Sequence, residues 1–259
     1  MNKGQLEYRE SVSDLDIRIR AHIKYSSMQM ETLLEEFLGQ HPQYRRSLDI
    51  GCGSGNYSPL FARHHALYVG FDANTGLLAQ AQDKCRQSGS DNVLFLKWDM
   101  NDSFPFMPES VDFAFSGFSA YYVDDAARLV EDCFDVLAPG GQVWFVGPAL
   151  GNAFELDTLS AALFGVSASR EKDIRVGRLQ SEFHPAFTDV FGDCDLKERD
   201  FSLNFPDADE YATYYLATPQ YQELAKQHGT MEREKVAETI RNDVGLKLTK
   251  KSVFLSAKK

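Results

Sequence analysis

The stretch Leu48-Asp49-Ile50-Gly51-Cys52-Gly53-Ser54-Gly55-Asn56 constrains the fold most: an apolar strand pattern runs into three alternating glycines and then a helical pattern. Glycine adopts positive φ without a steric penalty and lets a ligand approach the main chain, so a strand-to-helix turn built this way is a ligand-binding crossover. Further strand patterns follow at Leu67–Phe71, Val93–Lys97, Val111–Ser116 and Gln142–Gly147, with helical patterns near 56–65, 74–87 and 125–137. The middle helix carries Leu77, Leu78, Ala81 and Cys85 on one face behind a capping Asn74 or Thr75. The last carries Ala126, Leu129, Val130, Cys133 and Leu137 behind Asp124. Strands alternating with helices predict a parallel sheet covered on both faces.

The remainder is less regular. Met30, Leu33, Leu34, Phe37 and Leu38 recur with helical spacing, and the period-two run Ile17, Ile19, Ala21, Ile23 before them is also read as helix. Residues 149–193 are expected to mix helix and loop. Strands are expected near 195–204 and 251–257, with helices near 207–218 and 230–242. The whole chain, 1–259, is read as one domain: an amino-terminal helical lid (1–44), a ligand-binding core (45–148), a substrate-side insertion (149–193) and carboxy-terminal strands and helices (194–259).

Composition excludes several classes. Hydrophobic residues at 43% and charged residues at 25% are those of a globular chain. A net charge of -11 leaves no electrostatic footprint for nucleic acid or an anionic membrane. Cys52, Cys85, Cys133 and Cys194 are scattered, which fits neither a disulfide framework nor a metal site, so a reducing cytoplasm is expected and no metal. The charged first 30 residues predict no signal peptide, and no apolar run of about 18 residues is present to cross a bilayer.

The third glycine of the dinucleotide fingerprint falls where this chain has Asn56, and no Gly-Lys-Ser/Thr follows, so neither a dinucleotide site nor a P-loop is expected. The turn calls for another nucleoside ligand. Asp72 ends the second strand pattern, where a carboxylate can accept both ribose hydroxyls, and Trp98-Asp99-Met100 ends the third with a carboxylate and an apolar side chain.

With these marks, and with Val111-Asp112-Phe113-Ala114-Phe115-Ser116 and Leu137-Ala138-Pro139-Gly140-Gly141, the segment from about 46 to 147 resembles the class I S-adenosylmethionine-dependent methyltransferases. The nearest likeness is to the small-molecule, ubiquinone-biosynthesis-like branch (methyltransferase type 11). The resemblance implies an α/β, doubly wound, mostly parallel seven-stranded sheet whose last strand is antiparallel. It implies S-adenosyl-L-methionine as cofactor, with the turn Gly51, Gly53 and Gly55 at its methionine end, Asp72 at the ribose, Asp99 and Met100 at the adenine, and Asp49 and Ala73 also among the cofactor-binding residues. Phe115, Ser116 and Gly117 would line the floor near the sulfonium.

Two departures matter. Histidines that many relatives carry after the fourth strand are replaced by Ser119-Ala120-Tyr121-Tyr122-Val123-Asp124, and the Asn/Asp-Pro-Pro-Tyr/Phe run of base- and glutamine-modifying enzymes is absent from Ser116-Gly117-Phe118-Ser119. The expected reaction is in-line displacement at an activated methyl group onto a small-molecule acceptor, for which positioning and exclusion of water suffice. Tyr121, Tyr122 and His184 are the candidate catalytic groups for an acceptor that must lose a proton. Phe154, Leu156, Leu159, Leu163, Phe164, Phe183 and Phe187 are the candidate lid over a partly apolar acceptor. The competing readings are a protein or RNA methyltransferase and a non-catalytic cofactor-binding domain. The sequence does not determine the oligomeric state.

Overall fold

A computed structural model describes residues 11–166 and 175–259. The described residues fall into two compact units where the sequence is read as one domain. The larger comprises Met30–Ala149, Gly177–Glu198 and Val253–Lys259; the smaller comprises the described parts of Met1–Gln29, Leu150–Val176 and Arg199–Ser252.

The larger unit is organised by a seven-stranded sheet among the described residues, in the order β3-β2-β1-β4-β5-β9-β6. These are β1 (Arg46–Ile50), β2 (Leu67–Asp72), β3 (Val93–Lys97), β4 (Val111–Gly117), β5 (Leu137–Pro148), β6 (Cys194–Asp200) and β9 (Lys251–Lys258). Two short strands lie between the last two in sequence, β7 (Leu203–Asn204) and β8 (Lys247–Leu248). The pairs β1–β2, β2–β3, β1–β4 and β4–β5 are parallel, with Asp49 opposite Gly70 on one side and Phe115 on the other. One strand is antiparallel: where β9 ends beside β5, Gly140 N donates to Lys259 O at 2.8 Å and Lys259 N to Gly141 O at 2.9 Å. The chain winds outward from β1 through β2 to β3, then returns to β4 on the other side of β1. This reversal opens a crevice at the carboxyl ends of β1 and β4, where such sheets bind ligands.

The pleat sends alternate residues to opposite faces. Leu48, Ile50, Ala114, Val143 and Phe145 face an aliphatic core shared with α5 (Ala126–Val136) and with Phe183 and Phe187. Asp49, Tyr68, Phe113 and Phe115 lie on the other face, among the rings of Phe37, Tyr44, Phe61 and His65. The amino ends of β1 and β4 are tied by Asp112, which accepts from Arg46 Nη2 at 2.6 Å and from the Arg45 and Arg46 backbone N–H at 3.0 and 2.9 Å.

Helices α3 (Ser58–His64) and α4 (Thr75–Gln87) fall where their apolar patterns predict, and Asn74 caps α4 by accepting from Gly76 N and Leu77 N. Helix α5 is capped by Asp125 rather than Asp124, because the Asp125 carboxylate is the one that reaches Arg128 N. The strand expected over 142–147 begins at Leu137, and the strand expected over 195–204 divides into β6 and β7.

The lid expectation needs correction at two places. Helix α2 (Met30–Gln40) packs on the sheet rather than standing over it: Leu34 is fully buried and the Phe37 ring lies 3.9 Å from Trp144. Phe183 and Phe187 are fully buried against Phe145, with ring centroids 5.5 and 5.2 Å away, so they are core rather than lid. Part of the 149–193 insertion, residues 167–174, lies outside the described residues.

The smaller unit gathers α1 (Val12–Tyr25), α6 (Phe154–Phe164) and the helices Ala208–Leu216, Pro219–His228 and Arg233–Thr239 around Leu156, Leu159, Tyr211, Tyr214, Tyr215, Val236 and Ile240. Leu203 pairs antiparallel with Leu248 beneath them. Helix Pro219–His228 was not expected from the sequence pattern. Phe154 is 54% exposed, whereas Leu156, Leu159 and Leu163 are buried in this unit's own core.

Candidate cofactor site

All three turn glycines have positive φ: 69° at Gly51, 55° at Gly53 and 71° at Gly55. Two of them are also crowded by neighbouring protein atoms. A Cβ on Gly51 would stand 2.6 Å from Ser119 Cβ and 3.0 Å from Met100 Cε; one on Gly55 would stand 2.6 Å from Ala81 Cβ. Gly53 differs, because nothing lies within 4 Å of where its Cβ would be. Protein presses on the first and third glycines, and the middle one faces open space in which a ligand can touch backbone.

Asp72 is joined directly to this turn. Gly53 N donates to its Oδ2 at 3.0 Å and Asn74 N to its Oδ1 at 2.8 Å. Each carboxylate oxygen keeps a lone pair for a further donor. Burial raises the Asp72 carboxyl above the usual range, opposed by those two N–H donors and assisted by the neighbouring negative charge of Asp99. Asp99 in turn accepts from Asn101 N at 2.9 Å and from Asn101 Nδ2 at 3.1 Å. Met100 reaches back over Gly51, and its carbonyl accepts from Arg128 Nη2.

Beneath the turn, Asp49 is 3% exposed and accepts from Tyr68 Oη at 3.0 Å, while Tyr68 Oη and Ser58 Oγ lie 2.6 Å apart. Burial pushes the Asp49 carboxyl up to about 7, with the Tyr68 hydrogen bond opposing and the charge of Asp72 adding. Burial also raises the Cys52 thiol well above its ordinary value, so this cysteine in the turn is not a ready thiolate.

At the end of β4, Ser116 is fully buried and its hydroxyl lies 2.6 Å from that of Ser119; the two oxygens stand 3.2 and 2.6 Å from Ile50 O, so one hydroxyl donates to the carbonyl and the other to its partner hydroxyl. This hydroxyl pair holds the end of β1 to the turn after β4. Phe115 is buried against Phe61 and Tyr57. Gly117 is confined by the Phe115 ring, 2.7 Å from where its Cβ would be. Phe118 follows in the left-handed region at φ 60° and 38% exposed, an unusual and costly conformation for an aromatic residue.

The candidate catalytic residues divide. Tyr121 and Tyr122 sit side by side in the 3-10 turn Ala120–Tyr122, their rings 4.8 Å apart. That turn is held by Arg178, which is 7% exposed and donates Nη1 to Tyr121 O and Val123 O, both at 2.7 Å. His184 is not in a loop: it opens the helix His184–Phe191, where its carbonyl accepts from Thr188 Oγ1. Among the described residues, no hydrogen bond or ring contact joins its side chain to the glycine turn. The structure therefore brings Gly51, Gly53, Asp72, Asp99, Met100, Ser116 and Tyr121 to the carboxyl ends of β1, β2, β3 and β4, and places His184 at the start of the helix His184–Phe191. Sequence reasoning missed Ser119, Phe118, Arg178 and Lys84. Only the three-residue spacing of Ser116 and Ser119 carried a signal in the sequence.

Residues 48–145 match the family model described as a methyltransferase domain. This segment, less than half of the chain, is similar to methyltransferase domains. It coincides with β1 through most of β5, the part of the sheet that carries the glycine turn, Asp72 and Asp99. The chain is 31% identical over 103 residues to a ubiquinone biosynthesis O-methyltransferase of Paracidovorax citrulli, a match covering 40% of this chain and 43% of that one. The chain thus spans less than half the length of the curated relatives it matches. The YcgJ protein of Bacillus subtilis shares its fold at a TM-score of 0.60 and 17% identity, over 86% of this chain and 98% of that one. A geranyl diphosphate C-methyltransferase of Streptomyces coelicolor, solved with S-adenosyl-L-homocysteine, shares it at a TM-score of 0.52 and 16% identity, over 98% of this chain and 87% of that one.

Proposed function

We propose that the chain transfers the methyl group of S-adenosyl-L-methionine to a small-molecule acceptor by in-line displacement. The observation that carries this reading is the 3.0 Å bond from Gly53 N to Asp72 Oδ2, which sets an open glycine turn and a ribose-type carboxylate side by side at the reversal of the sheet. The residues present fit the chemistry of the cofactor: open space at Gly53, lone pairs on both Asp72 oxygens, and the thioether of Met100 over Gly51 for a ring face. When bound, the cofactor supplies a sulfonium-activated methyl group.

The protein's own part is placement. Asp72 accepts the ribose hydroxyls, the Gly51–Gly55 backbone cradles the methionine end, and the Ser116–Ser119 pair fixes the floor between β1 and β4. Because the leaving group is already activated, alignment and exclusion of water account for most of the rate. Tyr121 and Tyr122 are the groups at this end of the sheet that could take a proton from an acidic acceptor.

A small-molecule acceptor is supported by the O-methyltransferase relative and by the net charge of -11, which disfavours RNA. No helix among the described residues is long and apolar enough to cross a membrane. We infer a cytoplasmic protein from the four unbridged cysteines. Titration calorimetry with S-adenosylmethionine and S-adenosylhomocysteine tests the cofactor, and isotopically labelled cofactor with a metabolite extract tests the transfer. Absence of cofactor binding would refute the whole reading. Binding without transfer to any small molecule would favour a non-catalytic domain.

A further inference from the structure

Helix α4 meets the glycine turn at two places one helical turn apart. At the first, Gly55 closes against Ala81 so tightly that any Cβ would collide with it. At the second, Lys84 Nζ donates to Asn56 Oδ1 at 2.6 Å and to Ser54 Oγ at 3.3 Å. The three-residue spacing puts Ala81 and Lys84 on one face of the helix. In the dinucleotide fingerprint the third glycine, which permits close helix packing, would stand at position 56. Here Gly55 takes over that packing, and position 56 carries a side chain that accepts a hydrogen bond from a cation.

We propose that Lys84 is a positioning residue for cofactor binding, holding Asn56 and Ser54 so that the exit of the glycine turn keeps its ligand-accepting shape. The inference rests on the cofactor reading given above. Three glycines within five residues give this segment more freedom to lose on ordering than any other of its length. A short bond from an ammonium is among the stronger restraints available; Ser54 is 3% exposed, and Lys84 and Asn56 are half-buried, so the contact is partly shielded from water. Helix α4 also begins at the Asn74 cap, two residues after Asp72, so one rigid element fixes the ribose carboxylate at its start and the turn at its end. A turn ordered before the ligand arrives binds more tightly than one that must be ordered by it.

The test is calorimetric titration of S-adenosylhomocysteine into the full chain and its variants Lys84→Met, Asn56→Ala, the double variant and Lys84→Arg, with thermal melts in parallel. Lys84→Met and Asn56→Ala should each weaken binding about tenfold. The double variant should lose no more than either single one, because both remove the same contact, and Lys84→Arg should stay within about twofold of wild type. Asn56→Ala keeps the test open if Lys84→Met folds poorly. Binding by Lys84→Met within about twofold of wild type, losses that multiply in the double variant, or failure of arginine to restore affinity would each overturn the proposal while leaving the cofactor reading intact. A wild-type chain that does not bind the probe overturns both.

Discussion

Tyr68 donates its phenolic hydrogen to Asp49 Oδ2 at 3.0 Å, in a pocket where both side chains are almost wholly buried. Desolvation outweighs this bond and pushes the Asp49 carboxyl up to about 7 from the ordinary 3.8. The folded chain therefore holds one more proton than the unfolded chain between those values. The stabilising contribution is fully present below about pH 4 and is lost as the pH rises through 7. In the absence of cofactor, the stability of the wild type relative to Asp49→Asn should fall between pH 4.5 and 7.5, by an amount on the order of a few kcal/mol. Urea denaturation of both proteins at each pH checks this, and parallel curves for the two would refute the buried titration.

Asp72→Ala removes an acceptor from Gly53 N and Asn74 N and, on the proposed reading, from the ribose of the cofactor. Hydrogen bonds to a charged group contribute about 1.5–3 kcal/mol, so affinity for S-adenosylhomocysteine should fall about ten- to a hundredfold. Circular dichroism should show an intact fold. Unchanged affinity in the titration would remove Asp72 from the site.

The glycines separate fold from binding. Gly55→Ala forces a Cβ into Ala81 at 2.6 Å and should destabilise by more than about 2 kcal/mol. Gly53→Ala meets no atom within 4 Å, so it should cost only the roughly 1–2 kcal/mol of the left-handed conformation while its methyl group obstructs the cofactor. Melting temperatures set beside calorimetric affinities distinguish the two, and a tight-binding Gly53→Ala protein would contradict the ligand contact.

Phe183→Ala and Phe187→Ala should each lower stability by about 3–5 kcal/mol, the cost of emptying a buried phenylalanine site, since both rings pack on Phe145 in the sheet core. Chemical denaturation reads this directly. Stability within about 1 kcal/mol of wild type would return these residues to the role of a mobile cover.

The half of the site that could be read in the sequence is the local half. Gly51, Gly53 and Gly55 stand within five residues of one another, and Asp72 ends a strand whose neighbour is already given by the βαβ rule, so short-range pattern and topology place them together. Phe118 and Arg178 act through contacts that no spacing encodes: the Arg178 guanidinium reaches carbonyls at Tyr121 and Val123, more than fifty residues earlier. Apolar periodicity shows that Phe183 and Phe187 share an apolar face with the segment around them, but an apolar helix face looks the same whether it covers a sheet or a ligand. Asp124 and Asp125 are chemically equivalent caps in sequence, and only backbone geometry distinguishes them.

The division of the chain into interleaved stretches bears on how the protein is made. The smaller unit needs residues up to Ser252 and the larger needs the strand that begins the final stretch at Val253, so neither is complete until nearly all of residues 1–259 have been synthesised. During translation the five-stranded part of the sheet, β3-β2-β1-β4-β5, and the tyrosine-rich core of the smaller unit both stand unfinished. The emerging polypeptide therefore presents an unpaired edge at β5 until β9 is made, so the pairing of β9, and no earlier segment, is the step that completes the sheet.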